Sequence, residues 1–257
     1  FICNRTATCA YNTDVSDTPP NEGIIELKVV AYGRQYQVEL LNANGSVAVT
    51  AEITTTADGD VQIEADSILN NLVGDINGNS GFTATRIGSG IYITRTSAFG
   101  MRTVDTTLLN VFTDQVNNVE RLPYQCHDGY LVKIVNSASE EDDFYARFQG
   151  KNNEDGEGVW QETVGWIRNA NGTTTGINTT FDEDTMPHVI IATALNTFTV
   201  APADGTTGGA SSISYSRRVV GDNGTNPTPS FIGNPINNMV LFRNRLGFLS
   251  NENVIFT

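Results

Sequence analysis

Ile25, Leu27, Val29 and Ala31 alternate with Glu26, Lys28 and Val30, and beyond Gly33 the residues Tyr36, Val38 and Leu40 alternate with Gln35, Gln37 and Glu39. A period of two marks a strand with one buried face, and a turn residue between two such runs predicts a β-hairpin. A third strand, 47–54, follows the Asn44-Gly45 turn. The period then changes. Val61, Ala65, Ile68, Leu69, Leu72 and Val73 recur at three and four residues, which predicts an amphipathic helix near 61–74. Asp58 and Asp60 are cap candidates before it, and Gly74 is placed to end it. After a polar loop over 76–80, the runs 82–87 and 91–95 flank Gly88-Ser89-Gly90 as a second hairpin. A helix laid on strands buries the apolar faces of both, so 1–120 is expected to be an α+β domain.

Residues 106–122 carry little pattern and end at Pro123, where a boundary is expected. Beyond it the chain reads as β. Candidate strands are 130–135, 144–149, 159–164, 188–193, 198–201 and 212–219 in a β-rich domain over 121–220. Strands 238–243 and 254–256 open a further β portion over 221–257. The fold class is therefore mainly β with a minor α+β part. No repeat at a fixed period is present, so periodicity does not indicate a propeller or solenoid.

Gly, Asn and Thr are frequent and charged residues make up only 17%, a turn-rich composition that supports the β reading. The 29 acids against 15 bases give a net charge of -14. Such a chain does not coat nucleic acid by neutralising phosphates, nor adhere to anionic lipid heads. No apolar run approaches the length of a membrane span. The three cysteines Cys3, Cys9 and Cys126 are odd in number and lack a C-x-x-C pair, which fits reduced thiols better than a disulfide framework. The chain opens on Phe1 without Met and stops inside the apolar run Val254-Ile255-Phe256, as an internal segment of a longer polypeptide would.

The search for chemistry yields little, and no catalytic, cofactor or metal residues are expected. His127 and His188 are the only histidines, and no G-x-S-x-G elbow accompanies them. Cys126-His127 lacks a second pair at zinc-ligand spacing. Residues 151–162 approach a calcium loop, with Asn153, Asp155, Gly156 and Glu162 at ligand or turn positions. Lys151, however, stands where the first carboxylate is required, and a turn between strands is the simpler reading. The runs Glu140-Glu141-Asp142-Asp143 and Asp182-Glu183-Asp184 repel internally and are expected to face water rather than form a glycosidase pair. Trp160 and Trp166 are expected as core anchors.

The last third carries a distinctive string. It runs Gly221-Asp222-Asn223-Gly224-Thr225-Asn226-Pro227-Thr228-Pro229-Ser230-Phe231-Ile232-Gly233, then Leu241-Phe242-Arg243-Asn244-Arg245-Leu246-Gly247-Phe248-Leu249-Ser250, and closes with Glu252-Asn253-Val254. This resembles the G-D-x-x-T-N-P-x-P-S-F-x-G and F-R-N-R-L-G-F-L-S-x-E-N-V segments of the tail tubular protein B (nozzle protein) family of short-tailed bacteriophages. Asp128 to Ile134 is similar to the family's D-G-Y-x-V-K-I strand, and Gly158 to Thr163 and Thr185 to His188 fall in the family's order. Asn223 and Asn238 depart from the pattern, which has Asp there.

The resemblance implies a homo-hexameric ring in the virion tail, made in the host cytoplasm. It implies contacts with the tail adaptor and fibres, and conduction of double-stranded DNA during ejection without tight binding. It further implies that 221–257 lead into a β-propeller-like portion. Asp222, Asn226, Pro227, Arg243, Arg245 and Glu252 become assembly candidates. Asp222 and Asn226 are expected to form Asx turns, and the two arginines to share one face of a strand and pair with carboxylates. Glu140, Glu141, Asp142 and Asp143 are candidate channel-facing acids. A glycan-binding or glycan-cleaving tail module is the alternative, and it would require clustered aromatic platforms and a carboxylate pair.

Overall fold

Glu22 to Leu27 is buried along almost its whole length, on both faces. Strands of that kind lie between two packed layers, and in the computed structural model this strand is the centre of the larger unit. The structure describes residues 1–257 except 58, 60–62, 80, 137–141, 171, 207–212, 244, 252 and 257. The chain divides into two compact units, one over 18–175 and one joining 1–17 to 176–257.

In the larger unit the elements run β1 (Glu22–Leu27), β2 (Gln35–Asn42), β3 (Val47–Thr54), α1 (Ala65–Asn77), β4 (Phe82–Ile87), β5 (Gly90–Arg95), β6 (Phe99–Thr103) and β7 (Leu109–Phe112). They continue with β8 (Gln115–Val116), β9 (Gln125–Cys126), β10 (Leu131–Ile134), β11 (Phe144–Gly150), β12 (Gly156–Glu162), β13 (Trp166–Arg168) and β14 (Thr174–Gly176). Three sheets result, ordered β4-β5-β1-β7, β3-β2-β6 and β8-β10-β11-β12-β9, with β13 and β14 as a separate ribbon.

The β2–β3 hairpin closes at Asn42–Ser46, where Gly45 adopts φ +82°. The β4–β5 hairpin closes with Ile87 opposite Gly90. The hairpin expected around Gly33 is not formed. Both edges of β1 are taken, by β5 and β7, and both edges of β2 by β3 and β6, so 28–34 crosses between sheets. The helix begins at Ala65 after Glu64, and Asp58, Asp60 and Val61 lie outside the described residues. It runs past Gly74 to Asn77. Ile76 is fully buried there, the Asp75 carboxylate accepts the Glu52 amide at 3.0 Å, and the Asn77 side chain bonds both Ala84 backbone groups.

One core joins Ile68, Leu69, Leu72 and Ile76 of α1 to Tyr36, Val38 and Leu40 of β2 and to Ile25, Ile91, Ile93 and Leu109 of the four-stranded sheet. The other face of that sheet offers Ile24, Tyr92 and Phe112 to Tyr130, Val132, Ala146 and Phe148 of the five-stranded sheet. This second core, with β8 running parallel to β10, spans Pro123. The contacts therefore group 18–175 together, where the sequence suggested a break.

In the smaller unit, β15 (Val189–Ala194) and β16 (Thr197–Ala201) form a hairpin, and β17 (Asn238–Phe242), β18 (Arg245–Ser250) and β19 (Asn253–Phe256) form a meander. The first 17 residues return to this unit through isolated bridges, among them Ile2 to His188, Thr8 to Pro235 and Tyr11 to Phe181. The strand expected over 212–219 is reduced, among the described residues, to a bridge between Asp204 and Ser214. Described residues in regular structure are mainly β with one α-helix, as composition suggested.

Candidate functional site

Two acids of the larger unit are almost completely removed from water, Asp143 and Glu22, and their surroundings differ. Asp143 precedes β11. Its Oδ2 lies 2.7 Å from Lys133 Nζ on the neighbouring strand, and its Oδ1 accepts the Asn136 amide at 2.7 Å. Lys133 also lies over the Tyr145 ring, 5.6 Å from its centre. A carboxylate so held is a structural ion pair, and it does not present its charge to solvent. The expectation that Asp143 faces water with its neighbours is corrected on this point. Asp142 is exposed, while Glu140 and Glu141 lie outside the described residues.

Among the described residues, no cation lies against Glu22 at bonding distance. Its Oε2 accepts the Tyr92 hydroxyl at 2.8 Å, and its Oε1 is buried without a hydrogen bond of good geometry. His127 stacks on Tyr92 with ring centres 4.1 Å apart, and its Nδ1 is 2.8 Å from Asp155 Oδ1. Burial pushes the Glu22 carboxyl up to about 7, against the smaller opposing effects of the Tyr92 hydroxyl, the His127 charge and the Leu131 amide. Burial likewise raises the thiol of adjacent Cys126 far above its usual range. That thiol is a packed core group, with little thiolate character.

The near-calcium stretch is the connection between β11 and β12 followed by β12 itself. Asn152 and Asn153 take positive φ there, and the Asp155 carboxylate is committed to His127 and to the Asp128 amide at 2.9 Å. Glu154, Glu157 and Glu162 are exposed, as is Arg147. Trp160 packs on Tyr130 and Phe148 and donates to the Pro123 carbonyl at 2.9 Å, and Trp166 packs on Tyr145.

In the smaller unit the Asp222 carboxylate accepts from the Gly224 and Thr225 amides at 2.8 and 3.0 Å, and Thr225 Oγ1 accepts the Asp222 amide at 3.0 Å. Asn226 joins this turn through its backbone, donating to the Asp222 carbonyl at 2.9 Å. Asn226 and Pro227 are exposed. Arg243 and Arg245 do not share a strand face. Phe242 pairs with Arg245 across a tight turn, so Arg243 occupies the turn itself, at φ +46°, beside the Phe242 ring. Both arginines are exposed, and Glu252 lies outside the described residues. Cys9, Met186, Phe231, Ile236 and Phe248 form the core beneath this segment. The Asp182 carboxylate bonds the Asp184 amide, and the backbone of His188 pairs with Ile2.

Residue positions thus separate buried, committed acids from a set of exposed ones on and around β12. Sequence reasoning had not singled out Glu22. A model of the family described as Bacteriophage nozzle protein matches residues 1–257. Tail tubular protein gp12 of Escherichia phage T7 is 30% identical over 274 aligned positions, which cover 100% of the chain and 31% of that protein. The chain spans about a third of the length of this curated relative.

Proposed function

The chain belongs to the bacteriophage nozzle protein family, and on that premise we propose that it is a structural, non-catalytic part of a tail nozzle through which the genome leaves the particle. The family match over the whole chain carries this reading. In it, copies assemble as a homo-hexameric ring in the virion tail, in contact with the tail adaptor and fibres. Residues 221–257 lead into a β-propeller-like portion of the longer protein.

Electrostatics support a conduit. Each cation in a channel wall that neutralised a phosphate would release counterions and hold the duplex in place. Acids do the reverse, over a range of about 8 Å at physiological salt. Asp142, Glu154, Glu157, Glu162 and Asp184 are exposed and available for this, and Glu140 and Glu141 of the same acidic run lie outside the described residues. A head-to-tail ring repeats one such loop around the axis as an acidic collar.

The test is imaging of the assembled full-length protein, with genome ejection measured after Glu140, Glu141 and Asp142 are changed to Lys. Acidic loops inside the ring and slowed ejection in the variant are expected. Loops on the outer wall, or ejection at the normal rate, overturn the collar. Polysaccharide turnover by the protein that disappears in His188→Ala would overturn the non-catalytic reading.

A further inference from the structure

We propose that Glu22, Tyr92, His127 and Asp155 form a proton-sensitive joint between the four-stranded and five-stranded sheets, closed while Glu22 carries a proton and loosened when it ionises. The joint sits where β1 and β5 meet the chain around β9. Glu22 and Ile24 project from β1 on the face that meets Tyr130 and Phe148, and Glu22 is 2% exposed.

The groups around Glu22 offer an anion little compensation. From β5 comes the neutral Tyr92 phenol, and from β1 itself a second acid, Glu26. From β9 and the residues after it come the Cys126 thiol, the His127 ring and the buried Tyr130 phenol, and from the β11–β12 connection Asp155. Arg121 is engaged elsewhere, with Asn110 Oδ1 at 3.0 Å and the Val111 carbonyl at 2.8 Å, and Asn110 in turn donates to Glu26. His127 is the only group of the cluster able to carry positive charge, and its Nδ1 is directed at Asp155. Asp143 shows the contrast: equally buried, it has an ammonium on one oxygen and an amide on the other. An ionised Glu22 would leave a buried charge with a phenol on one oxygen, the Leu131 amide nearby but in poor geometry for the other, and no ammonium or guanidinium against it, a costly state that opening of the joint relieves.

The direction with pH follows. Burial raises the folded-state pKa of Glu22 from 4.5 to about 7. Below pH 4.5 both folded and unfolded chains hold the proton, and the joint contributes fully. Between 4.5 and 7 the unfolded chain releases its proton first, so folding weakens as pH rises, and above 7 the loss is complete. The equilibrium between closed and open forms should move by roughly 300-fold across that window.

The experiment is hydrogen exchange of the full-length protein from pH 5 to pH 8, corrected for the intrinsic pH dependence of exchange, with protection read at 125–134. Protection in the wild type should fall as pH rises, and Glu22→Gln should flatten the profile while Glu26→Gln leaves it in place. Tyr92→Phe keeps the ring but removes the hydroxyl that favours the anion, so its profile should shift to higher pH. This second variant decides the matter if Glu22→Gln does not fold. A wild-type profile flat over this range, a slope unchanged in Glu22→Gln, or a midpoint in Tyr92→Phe that stays at the wild-type pH or falls below it, overturns the joint.

Discussion

Replacing Asp143 by Asn removes the negative charge from Lys133 but keeps an oxygen that can accept the Asn136 amide. Replacing it by Ala removes both. The Lys133 side chain is 29% exposed and retains water and the Tyr145 ring as partners, so loss of the charge-assisted bond belongs at the low end of its range, about 1.5 kcal/mol. Alanine additionally leaves the Asn136 N–H without its acceptor, a further ~1–2 kcal/mol, for about 3 kcal/mol in all. Lys133→Met acts on the other partner. It strands a carboxylate whose side chain is 2% exposed, and stranding a buried charge costs about 3–5 kcal/mol. Removing the lysine should therefore cost more than removing the acid's charge. Urea unfolding of the three variants, read as midpoint shifts at constant slope, tests this order. If Asp143→Asn is neutral within about 0.5 kcal/mol, or Lys133→Met costs less than Asp143→Asn, the buried-pair account is wrong.

Two further changes have opposite expectations. Gly74→Ala adds a methyl into open space on an exposed turn of α1 and should stabilise the chain by about 0.5–1 kcal/mol, visible as a higher unfolding midpoint. Arg243→Ala and Arg245→Ala should each change chain stability by less than about 0.5 kcal/mol, because both side chains are exposed. In the proposed ring, a loss of assembly in either variant without a loss of chain stability would assign that arginine to contacts between copies.

Local pattern was sufficient where neighbours in sequence are neighbours in space. The β2–β3 and β4–β5 hairpins and the stripe Ile68, Leu69, Leu72 could all be seen in the sequence for that reason. The end of the helix was not, because Ile76 is held by burial and Asn77 by Ala84, across the following turn. β7 was missed because all four of its residues are buried, on two faces, which leaves no alternation to detect. The expected β1–β2 hairpin failed for a related cause. Alternation told which side of each strand is apolar, but pairing was settled by β5, β6 and β7, which follow more than sixty residues after the start of β1. Arg243 and Arg245 were assigned to one strand face by a two-residue period, and a turn at 243 cancels that period.

Acidic residues show most clearly what a sequence withholds. Asp143 and Asp142 are adjacent, yet one carboxylate is buried beside an ammonium and the other residue is exposed. Glu22 is as buried as Asp143 but has a phenol and a backbone amide beside it in place of an ammonium. Glu154, Glu157 and Glu162 are exposed around a strand whose alternate face packs Trp160 against Phe148. A formal charge of -14 treats these groups as equivalent. Physically they are not. A paired buried acid contributes almost no field at a distance, because its lysine cancels it. A buried acid without a cation lowers its cost by holding a proton, and so withdraws from the count over part of the pH range. Only the solvated acids project a field toward a polyanion, and that field is limited by screening to about 8 Å at physiological salt. If the chain lines a conduit as proposed, any repulsion that keeps DNA moving must therefore come from exposed positions such as Asp142, Glu154, Glu157 and Glu162. Charge reversal at those positions, with Asp143 left intact, separates an effect on the conduit from an effect on the fold.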